Sequence, residues 1–213
     1  MKKLLLYGAG SGSREILLMV QQINEIKSTW EVLGFVDEDP KYTGNEVDGY
    51  PVYGQDHKET AKDVYGICGI LDSNIRRRML EELIEGKDLL PAAIISPLSP
   101  TPKGFEAGPG TVIMPSVTIS FDVKLGKGVF VLWKALLGHH LRVGEYSNIL
   151  SSACITGGCT IGRRTVIGAN ATINNNVSIG DNCLVGIGTT VLESCKDNMR
   201  IVDLPRQMIT GQK

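Results

Sequence analysis

The sequence predicts an α/β domain followed by an all-β domain, a small parallel sheet with helices against it and then a stack of short parallel strands. Three observations carry this. Strand-like and helix-like segments alternate through the first half of the chain. The proline-rich stretch PLSPTPKG, residues 97–104, then breaks the pattern and marks a junction. From Ile113 onward the residues obey a period of six.

The first element is KLLLY, residues 3–7, read as a buried strand. Two lysines precede the apolar run, as in a signal peptide, but the run stops at Gly8, too soon for a signal core of about 7–15 residues. A helical pattern follows in ILLMVQQINEI, then a strand in WEVLGFVD that ends at Asp37. VYGICGIL reads as a strand, SNIRRRMLEELIEG as a helix and PAAIIS as a last strand. Strands alternating with helices imply a parallel sheet, here a Rossmann-like half assigned to residues 1–98.

The second domain is assigned to residues 104–213. Ile113, Ile119, Leu125, Val131, Leu137, Val143, Ile149, Ile155, Ile161, Ile167, Ile173, Ile179, Val185 and Val191 follow one another at intervals of six. Two residues before each stands a side chain that is mostly small or β-branched, such as Val117, Ala135, Ala153 and Ala171, with Leu141 the one larger member. A helix needs a period of 3.6 and a plain strand a period of 2, so six means a very short strand and a corner. Three such units close a triangular coil, and coils stack into a parallel β-helix. The aliphatic points inward and the smaller residue fills the corner beside it. The residue after the aliphatic is often Gly or Asn, as at Gly126, Gly138, Gly144, Gly168 and Asn174, and is expected to take the bend with a positive φ.

Composition narrows the function. A net charge of −1 over 213 residues leaves no electrostatic footprint for nucleic acid, and no apolar run is long enough for membrane insertion. The five cysteines include no Cys-x-x-Cys pair, as expected of reduced thiols in a cytoplasmic protein.

Two motifs carry chemistry. GAGSGS follows a strand and opens a helix, an arrangement that suits a phosphate, with Asp37 where an acid would meet a ribose. A tight strand-to-helix turn with no ligand is the plain alternative. Ser13 stands where a full dinucleotide fingerprint has Gly, and the sheet is short, so a mononucleotide-sized ligand is expected rather than NAD. The other motif is GHHLRVGEYSN, which holds two of the three histidines. Two consecutive residues do not easily chelate one ion, and His57 lies in the other domain, so no metal is expected.

GAG near the start, LGFVDEDP, DGYPVYG, LDSNIRR and a hexapeptide domain with Gly-His at its middle occur in this order. Together they resemble the sugar acyltransferases typified by sialic acid O-acetyltransferase and the bacillosamine-pathway N-acetyltransferase, over nearly the whole chain. The resemblance implies a left-handed β-helix, a homotrimer, acetyl-CoA as co-substrate bound between neighbouring β-helices, and a nucleotide sugar, a UDP-sugar first, on the N-terminal domain. It places that sugar against Gly8, Gly10, Ser11, Gly12, Ser13, Asp37, Glu38, Asp72 and Arg76, and CoA against Asn148, Ala169 and Ile187. The family often has His where Gly12 stands, Gly where Leu71 stands, and Gly-x-Pro-Ala where this chain has Asp203, Leu204, Pro205 and Arg206. Arg77 and Arg78 read as a solvated helix face paired with Glu81 and Glu82.

The resemblance makes His139, two past Leu137, the general base and points it outward to a neighbouring subunit. Imidazole, with an ordinary pKa of about 6.5, can take a proton from an attacking amine or hydroxyl near neutrality. The family usually follows this His with a carboxylate, and here His140 follows. Either His140 is a spacer, or another acid orients the base. A coil of eighteen residues stacks Asp122 beside His140, which makes Asp122 the candidate and ranks Glu145 below it. The expected function is acetylation of a nucleotide-linked amino sugar in bacterial surface-glycan synthesis. The alternatives are sugar O-acetylation of the sialic acid type, or a non-catalytic nucleotide-sugar-binding trimer.

Overall fold

The computed structural model describes residues 1–57, 63–87 and 89–203. In the N-terminal part, β1 (Lys2–Tyr7), β2 (Trp30–Val36), β3 (Glu46–Val47), β4 (Tyr50–Tyr53), β5 (Val64–Cys68) and β6 (Leu90–Pro91) form one sheet in the order β3-β4-β2-β1-β5-β6. All pairs are parallel except the β3–β4 hairpin. That hairpin turns on Asp48 and Gly49, both at positive φ (50° and 81°), the backbone that Asp-Gly favours.

The run LLL at 4–6 is buried on both faces, as a central parallel strand requires. Leu4 and Leu6 pack toward α1 (Ser11–Ile26) with Ile16, Met19 and Val20. Leu5 and Tyr7 pack on the opposite side with Leu80 and Ile84. The SNIRRRMLEELIEG segment forms α2 (Ser73–Arg78), a π-helical turn (Met79–Ile84) and a 3₁₀ turn (Glu85–Lys87). Arg77 pairs with Glu81 one turn on, at 2.9 Å.

PAAIIS divides between the two architectures. Leu90–Pro91 closes the N-terminal sheet, whereas β7 (Ile94–Ile95) pairs with Val112–Ile113. The first strand of the β-helix therefore lies before the proline stretch.

The second part is a left-handed parallel β-helix with three faces. The first face holds β7, Val112–Ile113, Phe130–Val131, Asn148–Ile149, Val166–Ile167, Leu184–Val185 and Arg200–Ile201. The second holds Thr118–Ile119, Leu136–Leu137, Cys154–Ile155, Thr172–Ile173 and Thr190–Val191. The third runs from Glu106–Ala107 through Lys124–Leu125, Arg142–Val143 and Thr160–Ile161 to Ser178–Ile179. Partners are one coil apart, as in Thr118↔Leu136↔Cys154. The aliphatics and their smaller apolar companions form one continuous core, buried except at Ile119, which is partly buried against it.

The corners differ from the expectation. The left-handed φ, 52° to 73°, falls three residues past the aliphatic, at Ser116, Asp122, Gly128, Lys134, His140, Tyr146, Ser152, Gly158, Arg164, Asn170, Asn176, Asn182 and Gly188. The glycines directly after the aliphatic serve packing instead. A Cβ on Gly138 would stand 2.5 Å from the carbonyl carbon of Thr156, and one on Gly168 2.6 Å from that of Gly186. Close stacking of coil on coil, not the bend, excludes a side chain there.

Apolar residues on the outside of the first face explain how the two parts join. Val112, Met114 and Phe130 are buried in the same core as α1 and β1.

Candidate functional site

His139 and His140 occupy the corner between the second and third faces, one coil above Phe121 and Asp122. Both side chains are exposed. Leu137 plugs the core behind them, and Gly138 lets the coil above approach. The His139 ring lies parallel to that of Phe121, 11° between planes and 5.3 Å between centroids. On the coil above stands Gly157, where any Cβ would collide with the imidazole. Phe121 and Gly157 thus form a slot for the ring, and neither was anticipated. The eighteen-residue coil could have found both, because 121, 139 and 157 differ by one coil each.

Gly157→Ala tests the slot. Its φ is not in the left-handed region, so alanine is compatible with the backbone, but its methyl group must push His139 aside. We expect the fold to persist by circular dichroism and the reaction proposed below to slow about 10²-fold, the scale of a misplaced reacting group.

The pair is internally bonded. His139 Nδ1 lies 2.9 Å from His140 Nδ1, and His140 Nε2 lies 3.9 Å from Asp122 Oδ2. Asp122 does stand beside His140, yet its closer partner is Arg142. The Arg142 Nη2 donates to both carboxylate oxygens at 2.9 and 2.8 Å, and Nη1 donates to the Asp122 carbonyl. Sequence reasoning passed over Arg142. This contact holds the Asp122 carboxyl below the ordinary range, with burial opposing it and with His140 and Lys124 adding smaller attractions. A depressed carboxyl keeps its ion pair at any pH above the ordinary carboxylate value and loses it as pH falls through the lowered one. Glu145 lies on the next corner, where its carbonyl accepts from Arg164.

The glycine turn lines a cleft of 470 Å³ at the N-terminus of α1, with Gly8, Gly10, Ser11 and Gly12 on one side, Gly69, Ile70 and Leu71 on another, and Trp133 from the β-helix. Gly10 is the N-cap of α1 and makes no side-chain cap, so the opening turn presents bare N–H groups. Asp37 braces the turn: its Oδ2 accepts from Ala9 N at 2.6 Å and its Oδ1 from Asp39 N at 2.9 Å. Glu38 is exposed and lies 3.9 Å from Arg78. Two members of the motif are structural. Ser13 is buried and donates to the Tyr7 carbonyl at 3.0 Å. A Cβ on Gly12 would strike the Gly69 carbonyl oxygen, so this glycine allows α1 to sit against the end of β5.

Three expected contacts are engaged elsewhere. Arg76 was placed on the sugar nucleotide, but it is fully buried between the two parts and all its N–H groups are used. Nε donates to Gly128 O, Nη1 to Ile70 O and Leu71 O, and Nη2 to Tyr146 O and Asn148 Oδ1, at 2.7 to 2.9 Å. Its guanidinium also lies 4.3 Å over the Phe130 ring. Burial pushes it down to about 10, which leaves it cationic at neutral pH. Asn148 was placed on the acetyl group, but it is buried here, with Oδ1 on Arg76 and Nδ2 donating to Leu71 O at 2.9 Å. Asp72 caps α2, accepting from Asn74 N and Ile75 N at 2.9 Å.

Ala169 and Ile187 stack on the corner between the first and second faces, two and three coils along from Trp133. Ile187 is 77% exposed. The structure therefore gathers His139, His140 and Asp122 on one corner, and places Trp133, Ala169, Ile187 and the glycine-turn cleft toward another. One chain does not bring them together. Leu204, Pro205 and Arg206 lie outside the described residues. Among the described residues no three His, Cys, Asp or Glu side chains gather as a metal site, and no helix is long and apolar enough to cross a membrane.

Two family models match parts of this chain. Residues 3–83 match the family described as PglD N-terminal domain, and residues 137–175 match bacterial transferase hexapeptide repeats. A search of curated proteins gave no match. Among solved structures, the acetyltransferase domain of PglB from Neisseria gonorrhoeae superposes with a TM-score of 0.86 at 21% identity, covering 95% of this chain and 97% of that one. The same domain was solved with acetyl coenzyme A. PerB from Caulobacter crescentus, solved with CoA and GDP-perosamine, gives 0.86 at 21% identity, with 95% of each chain covered. WeeI from Acinetobacter baumannii gives 0.81 at 21%, covering 94% of this chain and 96% of that one. At this identity the likeness shows the fold.

Proposed function

We propose that this chain, a PglD-type N-terminal domain joined to a hexapeptide β-helix, transfers an acetyl group from acetyl-CoA to the amine of a nucleotide-linked amino sugar. The setting we infer is surface-glycan synthesis in a bacterial cytoplasm. The observation that carries the reading is the imidazole of His139, held between Phe121 and Gly157 at an exposed corner. A ring fixed in this way, with one nitrogen hydrogen-bonded, offers the other as a base.

The step balances without a covalent enzyme intermediate. The amine nitrogen attacks the thioester carbonyl, a C–N bond forms and the C–S bond breaks. The amine proton passes to His139 and then to the departing CoA sulfur. The glycine-turn cleft supports the acceptor half of the reading, because bare N–H groups at a helix N-terminus suit a diphosphate. The bound CoA and GDP-perosamine of the structurally similar Caulobacter protein support the same class of substrates.

A homotrimer completes the site in this reading. The base and the cleft stand at different corners, so the base of one subunit serves the cleft of its neighbour. The second face, which lies between those corners, presents only uncharged residues outward: Thr118, Leu136, Cys154, Thr172 and Thr190. The third face presents Glu106, Lys124 and Arg142. An uncharged face is the one to bury between subunits.

The test is release of free CoA from acetyl-CoA with UDP- and GDP-linked sugars, each in amino and hydroxyl form. We expect thiol release with an amino sugar, the UDP form being the carrier that the family resemblance favours. Release only with hydroxyl sugars would replace this reading with O-acetylation. Sugar-nucleotide binding without any release would make the protein a non-catalytic trimer.

A further inference from the structure

We propose that His140 substitutes for the carboxylate of a His–acid dyad by relaying the charge of Asp122 to His139, and that this relay fixes Nε2 of His139 as the basic nitrogen. The inference rests on the acyl-transfer reading and adds to it the tautomer of each ring.

The argument starts from two contacts. At 2.9 Å the two Nδ1 atoms share a hydrogen bond, so one carries the proton and the other accepts it. His140 Nε2 faces Asp122 Oδ2 at 3.9 Å. If His140 Nδ1 were the donor, its Nε2 lone pair would face a carboxylate. The repulsion disfavours that arrangement. With the proton on His139 Nδ1, His140 carries its own proton on Nε2, aimed at Asp122. The chain then reads Asp122 carboxylate, His140 Nε2–H, His140 Nδ1, His139 Nδ1–H, and a free lone pair on His139 Nε2. When Nε2 takes the proton of the amine, the positive charge is stabilised through His140 toward Asp122.

The surroundings hold this chain in place. His140 takes the left-handed φ of its corner, 56°, and its ring lies beside Asp122 of the coil below. Its N–H donates to Phe121 O at 3.2 Å, and the Phe121 ring meets it edge-on at 5.1 Å. The charged groups around the relay are Asp122, Arg142 on Asp122, and Lys124 near Asp122. Arg142 keeps Asp122 ionised but takes up part of its field. His140 is accordingly a positioning residue, and the effect of losing it is smaller than that of losing the base.

The test uses His140→Phe and His140→Glu. Phenylalanine keeps a ring, and the equivalent position of the next corner, six residues on, already carries an aromatic residue, Tyr146, at a φ of 60°. We expect His140→Phe to lower kcat about tenfold with the KM for acetyl-CoA unchanged, and His140→Glu to restore it by placing a carboxylate beside the base. Asp122→Asn should slow the parent but add nothing to His140→Phe. Equal effects of Asp122→Asn in both backgrounds overturn the relay. An independent readout is nitrogen NMR of ring-labelled histidine in the whole protein. Protons on Nδ1 of His139 and Nε2 of His140 support the proposal, and the reverse pair overturns it. If the tautomers are as expected but no sugar is acetylated, the relay stands and the acyl-transfer reading falls.

Discussion

His139→Ala is expected to lower turnover about 10²–10⁴-fold, the span of a lost general base, with little change in stability. The ring is exposed, and its removal uncovers no core, since Leu137 fills the interior at this coil. Steady-state kinetics with the amino-sugar acceptor, beside a thermal melt, checks both halves of the statement. His140→Ala should cost less, because it removes a support and leaves the base. If His140→Ala is the inactive variant and His139→Ala turns over normally, the base sits one residue later and the slot of Phe121 and Gly157 has another purpose.

Arg76→Ala is expected to cost about 3–5 kcal/mol of stability. Five acceptors lose their donors, namely the carbonyls of Ile70, Leu71, Gly128 and Tyr146 and the amide oxygen of Asn148. A buried acceptor left unpaired costs about 1–3 kcal/mol. The sum is reduced by water entering the vacated volume and by no longer burying a cation. For a chain of this size the loss lowers Tm by about 6–20 °C. Arg76→Lys should recover only part of it, because an ammonium has three donors and cannot span the same acceptors. Calorimetric melts of the three proteins decide this, and a shift of under about 2 °C for Arg76→Ala would remove the argument. Ile70 and Leu71 also wall the glycine-turn cleft, so Arg76→Lys should raise KM for the nucleotide sugar more than KM for acetyl-CoA.

The sequence by itself determined the architecture and the register of the β-helix. A period of six is a local signal, repeated at fourteen positions from Ile113 to Val191, and each repeat independently requires a buried aliphatic. The same arithmetic, extended to eighteen, put Asp122 beside His140. It stopped short of ranking neighbours: Arg142 also adjoins Asp122, and only side-chain geometry shows that the guanidinium takes both oxygens while His140 stays at 3.9 Å.

The bend was misplaced because glycine has two uses. A glycine chosen for positive φ and one chosen to let backbones approach look alike in a sequence, and here Gly138 and Gly168 are of the second kind. The roles of Arg76 and Asn148 were decided only by the tertiary structure. Their partners lie far off in sequence, Gly128 and Tyr146 for the arginine and Leu71 for the asparagine. A motif position records that a polar side chain is needed, not whether it faces a ligand or a distant backbone. Whether a donor meets solvent or a buried carbonyl depends on how the sheet domain docks on the first face of the β-helix. That docking is set by Val112, Met114 and Phe130 packing against α1, a contact between segments with no shared local pattern.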